Sequence, residues 1–187
     1  MQVLNMLNTK YFIVPDDKGQ KQAQLNPDAN GNAWFVENVK IVNSANEEIK
    51  ALDSLNTKTT VVIDKSKLSE NIKFSFEKDS VAKIQLIKYD VTELTYQSKS
   101  KKEQFAVFSE IYYKDGWNAY VDGELTPHYS VNYVLRGMIV PAGNHEIEFK
   151  FEPKVIQQGK IISLSSYALL LFITIGWFFY EKKKSVN

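Results

Sequence analysis

The chain has 187 residues with 23 Lys+Arg against 22 Asp+Glu, a net charge of +1, and 13% aromatic residues. Charges of both signs are interspersed, so no basic stripe exists for a phosphate backbone and nucleic acid is excluded as a partner. Cysteine is absent, which excludes disulfides and thiolate metal centres, while about 160 residues outside the apolar tail suffice for one domain with a real core.

The N-terminal "MQVLNMLNTKYFIV" has no basic region followed by an apolar run, so it is not a secretory signal. "AWFVENVKIV" reads as strand, and "ANEEIKALDSLN" reads as a short helix with Ile49, Leu52 and Leu55 on one side. "TTVVID" and "NIKFSF" are further strands between polar, turn-rich stretches. "VAKIQLIKYDVTELTY" alternates, but its phase slips at Leu86–Ile87, which predicts a bulge. "QSKSKKEQ" is a solvated loop. "EQFAVFSEIYY" is apolar on both parities (Phe105, Val107 and Ile111; Ala106 and Phe108), the pattern of a central strand covered on both faces. "GWNAYVDGE" predicts a strand running into an Asp122–Gly123 hairpin turn. "YVLRGMIV" and "HEIEFKFEP" predict two strands paired through "PAGN", where Pro141 pre-sets the turn and Gly143 supplies a positive φ. The expected fold is mainly β: an antiparallel β-sandwich with one short helix, followed by a single C-terminal transmembrane helix.

That helix is expected at Ile161–Tyr180, an uncharged run bracketed by Lys160 and Glu181. At 1.5 Å per residue such a segment spans roughly 30 Å, the hydrocarbon thickness of a bilayer. Trp177 and Tyr180 suit the headgroup level, and Lys182, Lys183 and Lys184 follow at once. Ser163, Ser165, Ser166 and Thr174 can bond back to helix carbonyls, and with Gly176 they would admit a neighbouring helix closely. Lysines before the helix (Lys150, Lys154, Lys160) balance those after it, so orientation rests on the trailing cluster packed against the boundary, which points to a cytoplasmic C-terminus. The expected organisation is a β domain over 1–160, a membrane helix over 161–180 and a basic tail over 181–187. Lacking a signal, such a chain is either tail-anchored or the last piece of a longer multi-span protein.

Chemistry is sparse in the sequence. His128 and His145 have no neighbours at metal-ligand spacing, and no glycine loop suits a phosphate, so no cofactor is expected. Glu146 and Glu148 share the wet face of their strand, and Asp122 is ordinary hairpin chemistry. Two features remain. Arg136 is the only arginine, and its planar fork suits a carboxylate or phosphate ligand; a structural pair with Asp122, Glu110 or Glu124 would explain it equally. The aromatic group Tyr112, Tyr113, Trp117, Tyr120, Tyr129 and Tyr133 suits either a sugar-stacking platform or the core and rim of a β domain, with Trp117 expected as a core anchor. Arg136, Tyr129 and Tyr133 are the candidate ligand contacts, and no residue is a candidate catalyst.

The stretch "IYYKDGWNAYVDGELTPHYSVNYVLRGMIVPAGNHEIEFKFEP", followed by an apolar helix, resembles the C-terminal end of the YfhO-type bacterial membrane proteins. The matching positions are Tyr112, Tyr113, Gly116, Trp117, Val121–Gly123, Val131–Tyr133, Arg136, Gly137, Pro141–Gly143, Glu152 and Pro153. "MLNTKYFIV", "GNAWFVENVKIV" and the stretch from Leu55 to Asp64 resemble earlier family segments, whereas "KDG" stands where the family often has proline before the glycine. The resemblance implies a polytopic, GT-C-like glycosyltransferase that uses lipid-linked sugars to modify envelope polymers such as teichoic acids. The chain would then be its extracytoplasmic end domain and last helix in the cytoplasmic membrane, non-catalytic, acting as a lid or in acceptor docking. Its partners would be the bilayer, the rest of the parent protein, and envelope polysaccharide or lipid-linked sugar. The alternative is a stand-alone, membrane-anchored binding or adhesion module.

Overall fold

The computed structural model describes residues 1–68 and 72–184. The chain divides into two compact units, Met1–Phe151 and Glu152–Asn187.

The first unit opens with α1 (Gln2–Met6) and a hairpin of β1 (Tyr11–Pro15) and β2 (Lys21–Leu25). β3 (Ala33–Val36) and β4 (Asn38–Val42) follow, then α2 (Ala45–Ala51) and β5 (Thr60–Asp64). Next come β6 (Lys83–Tyr89), β7 (Glu93–Ser100), β8 (Gln104–Ile111), β9 (Trp117–Val121), β10 (Glu124–Thr126), β11 (Tyr129–Val131), β12 (Leu135–Val140) and β13 (Gly143–Phe151).

A four-stranded sheet of order β11-β12-β8-β3 forms the middle layer, and the alternation along β8 shows why. Ala106 and Phe108 point to one face, where they join Leu94, Tyr96, Ile147 and Phe149 of the five-stranded sheet β10-β9-β13-β7-β6. Phe105 and Val107 point to the other, against Val61, Ile63, Leu52 and Met6. β8 is therefore the doubly covered strand its two-parity pattern predicts. Ile111 departs from that pattern and is exposed, because the pairing of β12 with β8 jumps from Leu135↔Ile111 to Arg136↔Phe108. The skipped residues, Ser109 and Glu110, form a bulge.

The slip at Leu86–Ile87 is also a bulge, since β6 pairs Leu86↔Tyr96 and then Lys88↔Thr95. Asp122 and Gly123 have φ of 51° and 84°, the left-handed pair that a two-residue hairpin turn requires between β9 and β10. The pairing expected through "PAGN" does not form. β12 pairs with β8 and β11, whereas β13 pairs with β7 and β9, so Pro141–Ala142 carries the chain from one layer to the other. Val140 and Ile147 then enter the same core from opposite sheets.

Three other expectations change. β4 and β5 are parallel, joined by α2 as the crossover. Of the stripe expected at α2, Leu52 is buried and Leu55 packs against the core, but Ile49 is exposed, and Glu48 and Ala51 are buried instead. "NIKFSF" gives one bridge, Ser75 to Asn38, with Ile72 and Phe76 buried; Asn71 lies outside the described residues.

The second unit is α3 (Lys154–Lys184), which begins at Lys154 rather than Ile161. Its segment Lys154–Phe178 is long and apolar enough to cross a membrane. Ser165, Ser166 and Thr174 bond back to the carbonyls of Ile161, Ile162 and Leu170, so the hydroxyls need no outside partner in an apolar medium.

Candidate functional site

The three candidate contacts do not converge. Residues Leu135 and Arg136 are neighbours on β12 and face opposite layers; Tyr129, which pairs with Gly137, lies 3% exposed in the core on the Leu135 side. Tyr133 sits in the turn after β11 with φ 73° next to Asn132 at 48°. Two consecutive left-handed residues, one a tyrosine, are costly and need support from their surroundings.

The support is a buried polar clamp. Glu48 on α2 is fully buried, accepting a hydrogen bond from the Tyr133 amide at 3.0 Å and from Lys67 Nζ at 2.6 Å. Lys67 Nζ also donates to Ser130 Oγ at 3.3 Å and lies 5.5 Å from the Tyr133 ring centroid. Beside it, Asn132 bonds the free edge of β5 twice: its amide donates to Val62 O at 2.8 Å, and its Oδ1 accepts from the Val62 amide at 3.0 Å. "VNY" is thus the peg that fixes the β11–β12 turn to the β4–α2–β5 layer.

Arg136 lies in the other core at one end of the two facing sheets. Its Cζ sits 4.3 Å from the Trp117 ring centroid and 5.0 Å from that of Phe149, and Nε donates to Ile111 O at 3.1 Å. That bond closes the Ser109–Glu110 bulge, which also places the half-buried Glu110 near the guanidinium. Burial pushes the Arg136 guanidinium down, partly offset by Glu110, and burial pushes the Glu110 carboxyl up, partly offset by Arg136. The ion pairs among described residues do not include Asp122 or Glu124 with Arg136; Asp122 turns instead to His145.

Around Phe149 the polar atoms are under-satisfied. Arg136 Nη1, Tyr96 Oη and His128 Nε2 are buried with no hydrogen-bond partner. Their rings and fork all border Phe149, with centroid distances of 6.1 Å from Tyr96 and 5.6 Å from His128. Burial, then the Arg136 charge, pushes the His128 imidazole down to about 4, so it is neutral at pH 7. Burial likewise raises the Tyr96 phenol. The cluster therefore holds one fixed cation, a neutral imidazole and a phenol with unused hydrogen-bonding capacity, a set that can receive an anionic or hydroxylated group.

Trp117 is half-buried, shares its inward face with Ala119 and Val121, and packs against Phe151 at 5.4 Å. It is an anchor at the edge of the core and the lid over Arg136. The sequence flagged Arg136 and Trp117 separately; their stacking, and the part of His128 and Tyr96, depend on inter-sheet contact that no local pattern reports.

His145, the other histidine, bridges two turns. Nδ1 lies 2.6 Å from Asp122 Oδ2 and Nε2 lies 3.1 Å from Ala142 O, while Asp122 Oδ1 accepts from the Glu146 amide at 2.9 Å. Both ring nitrogens face acceptors, which favours the doubly protonated ring. The hydrogen bond to Asp122 raises the His145 imidazole, and the same bond lowers the Asp122 carboxyl. Among the described residues, no group of three or more His, Asp or Glu side chains could hold a metal ion.

A family profile described as bacterial membrane protein YfhO matches residues 54–163. No curated protein and no solved structure matches the chain.

Proposed function

The chain belongs to the YfhO family of bacterial membrane proteins, and on that premise we propose that it is the non-catalytic end domain and last membrane helix of a polytopic glycosyltransferase-like protein of the cell envelope. In this reading the β unit lies outside the cytoplasm, docks the acceptor or closes over it, and the Lys182–Lys184 end lies inside. The observation that carries it is the extent of the match: residues 54–163 run from β5 through β13 and into α3, so all of the five-stranded sheet, three of the four strands of its partner sheet and the start of the apolar helix fall in one family match. Two of the buried or bridged carboxylates are taken up by internal partners. Glu48 is consumed by Lys67 and the Tyr133 amide, and Asp122 by His145 and the Glu146 amide. Arg136 has a buried donor, Nη1, with no hydrogen-bond partner, suited to the phosphate or carboxylate of a lipid-linked sugar or anionic envelope polymer.

The test combines topology and binding. A cysteine at Lys101, in the exposed link after β7, is expected to react with an impermeant thiol reagent on whole cells, once any outer membrane is permeabilised. Labelling only after the inner membrane is broken would reverse the orientation. The full chain in nanodiscs should bind anionic teichoic acid saturably without turning over lipid-phosphate sugars, and Arg136→Met should lose that binding. Equal binding by both proteins would remove Arg136 from the docking site.

A further inference from the structure

One end of the β unit carries an apolar surface that the sandwich does not use. At the β6–β7 hairpin tip, Ile87 is 59% exposed, Tyr89 67% and Val91 85%. The bulge that turns Leu86 inward leaves Ile87 outside the ladder, and the tip "YDVT" places valine where a solvated turn would carry Asn or Gly. Tyr113, in the link between β8 and β9, adds another ring at 53% exposure. These residues occupy the same end: Phe151, the last residue of β13, donates its amide to Thr92 O at 2.9 Å and pairs with Trp117, where the Tyr113 link enters β9.

This is also the end from which the chain leaves for the membrane. Only Glu152 and Pro153 separate β13 from α3, so the backbone can travel no more than about 11 Å between Phe151 and Lys154. α3 has 31 residues. At 1.5 Å each it is roughly 46 Å long, enough to cross the hydrocarbon core and both headgroup layers, about 40–45 Å in all. A helix of that length crossing a bilayer would have its first turn at the outer edge of a headgroup layer, and the two-residue link would keep the Phe151 backbone within about 11 Å of that turn.

We infer that the β6–β7 tip, with Ile87, Tyr89 and Val91, together with Tyr113, seats in the headgroup region of the bilayer that α3 enters. Lipid is the occupant that fits. Tyrosines favour the headgroup level, and aliphatic side chains gain by leaving water. The inference rests on α3 spanning a bilayer and not on acceptor docking. Seating would place the Arg136 cluster, at the same end of the sandwich, beside lipid-linked phosphates.

The chain has no cysteine, so single probes are unambiguous. An environment-sensitive fluorophore on Val91→Cys of the full chain, reconstituted alone in liposomes, should be blue-shifted and quenched by lipids with a nitroxide near the headgroup. A second probe at Tyr113→Cys should report the same. The probe at Lys101→Cys should stay unquenched, because β7 carries that position roughly 30 Å from the tip. No quenching at Val91 and Tyr113 would overturn the inference and assign the patch to a protein neighbour; equal quenching at all three sites would overturn a defined seat. Quenching at Val91 alongside failed polymer binding would leave this inference standing while removing the docking function.

Discussion

Replacing Arg136 separates a structural arginine from one kept for a ligand. The side chain is 3% exposed, lies between Trp117 and Phe149, bonds Ile111 O and leaves Nη1 without a partner. Arg136→Ala deletes two methylenes of the stem, about 1.6 kcal/mol at about 0.8 kcal/mol each, and both Arg136→Ala and Arg136→Met lose two cation–π contacts worth about 1 kcal/mol together. Arg136→Met keeps a flexible chain in the slot between the rings while removing a desolvated charge and an orphaned donor. Burying that charge costs several kcal/mol that the half-buried Glu110 only partly offsets. The lost bond to Ile111 O costs about 1 kcal/mol. Arg136→Met is therefore expected to lie within about 1 kcal/mol of the parent, and Arg136→Ala about 2 kcal/mol below Arg136→Met. Urea unfolding of the full chain in mild detergent, followed by tryptophan fluorescence and circular dichroism, measures both. A methionine variant as unstable as the alanine variant would show that the guanidinium bonds hold the fold, and the case for a ligand at Arg136 would fail.

His128 sets an acid limb. Its folded pKa of about 4 lies below the ordinary 6.5, so the stability it contributes is complete above pH 6.5 and is lost as pH falls toward 4. The loss is about 3 kcal/mol over that window and should flatten in His128→Phe, as read by melting temperature against pH. Glu48→Ala strands Lys67 and the Tyr133 amide in the interior and should cost about 3 kcal/mol or more, with the change visible in the same unfolding curves. The Asp122–His145 bridge has opposing limbs: the depressed Asp122 carboxyl loses its contribution as pH falls below its ordinary value of 3.8, and the raised imidazole loses its own as pH rises above 6.5. Nuclear magnetic resonance titration of the His145 ring should accordingly give a midpoint above 6.5, and a midpoint below it would break the assignment.

Local pattern was enough wherever a segment's own periodicity met a single environment. The two-parity run of β8, the bulge at Leu86–Ile87, the Asp122–Gly123 turn and the uncharged run inside α3 could all be read from residues adjacent in the chain, and a motif-level resemblance was enough to anticipate the YfhO family. Partnership between distant segments could not be read that way. Alternation tells which face of β13 is buried but not which strand lies beside it, so the β12–β13 pairing failed although both strands were right. β4 and β5 depart from the antiparallel pattern expected of the sandwich as a whole, because the helix between them makes a parallel crossover possible. In α2 the buried face holds Glu48 and leaves Ile49 in water, because a carboxylate with two donors in reach outweighs the aliphatic side chain there. The Arg136 cluster is the clearest case. Tyr96, Glu110, Trp117, Arg136 and Phe149 come from five different strands and His128 from the link between β10 and β11, and the shifted proton affinities of Tyr96, Glu110, His128 and Arg136 arise from desolvation between two sheets, a property that exists only once the sheets have packed.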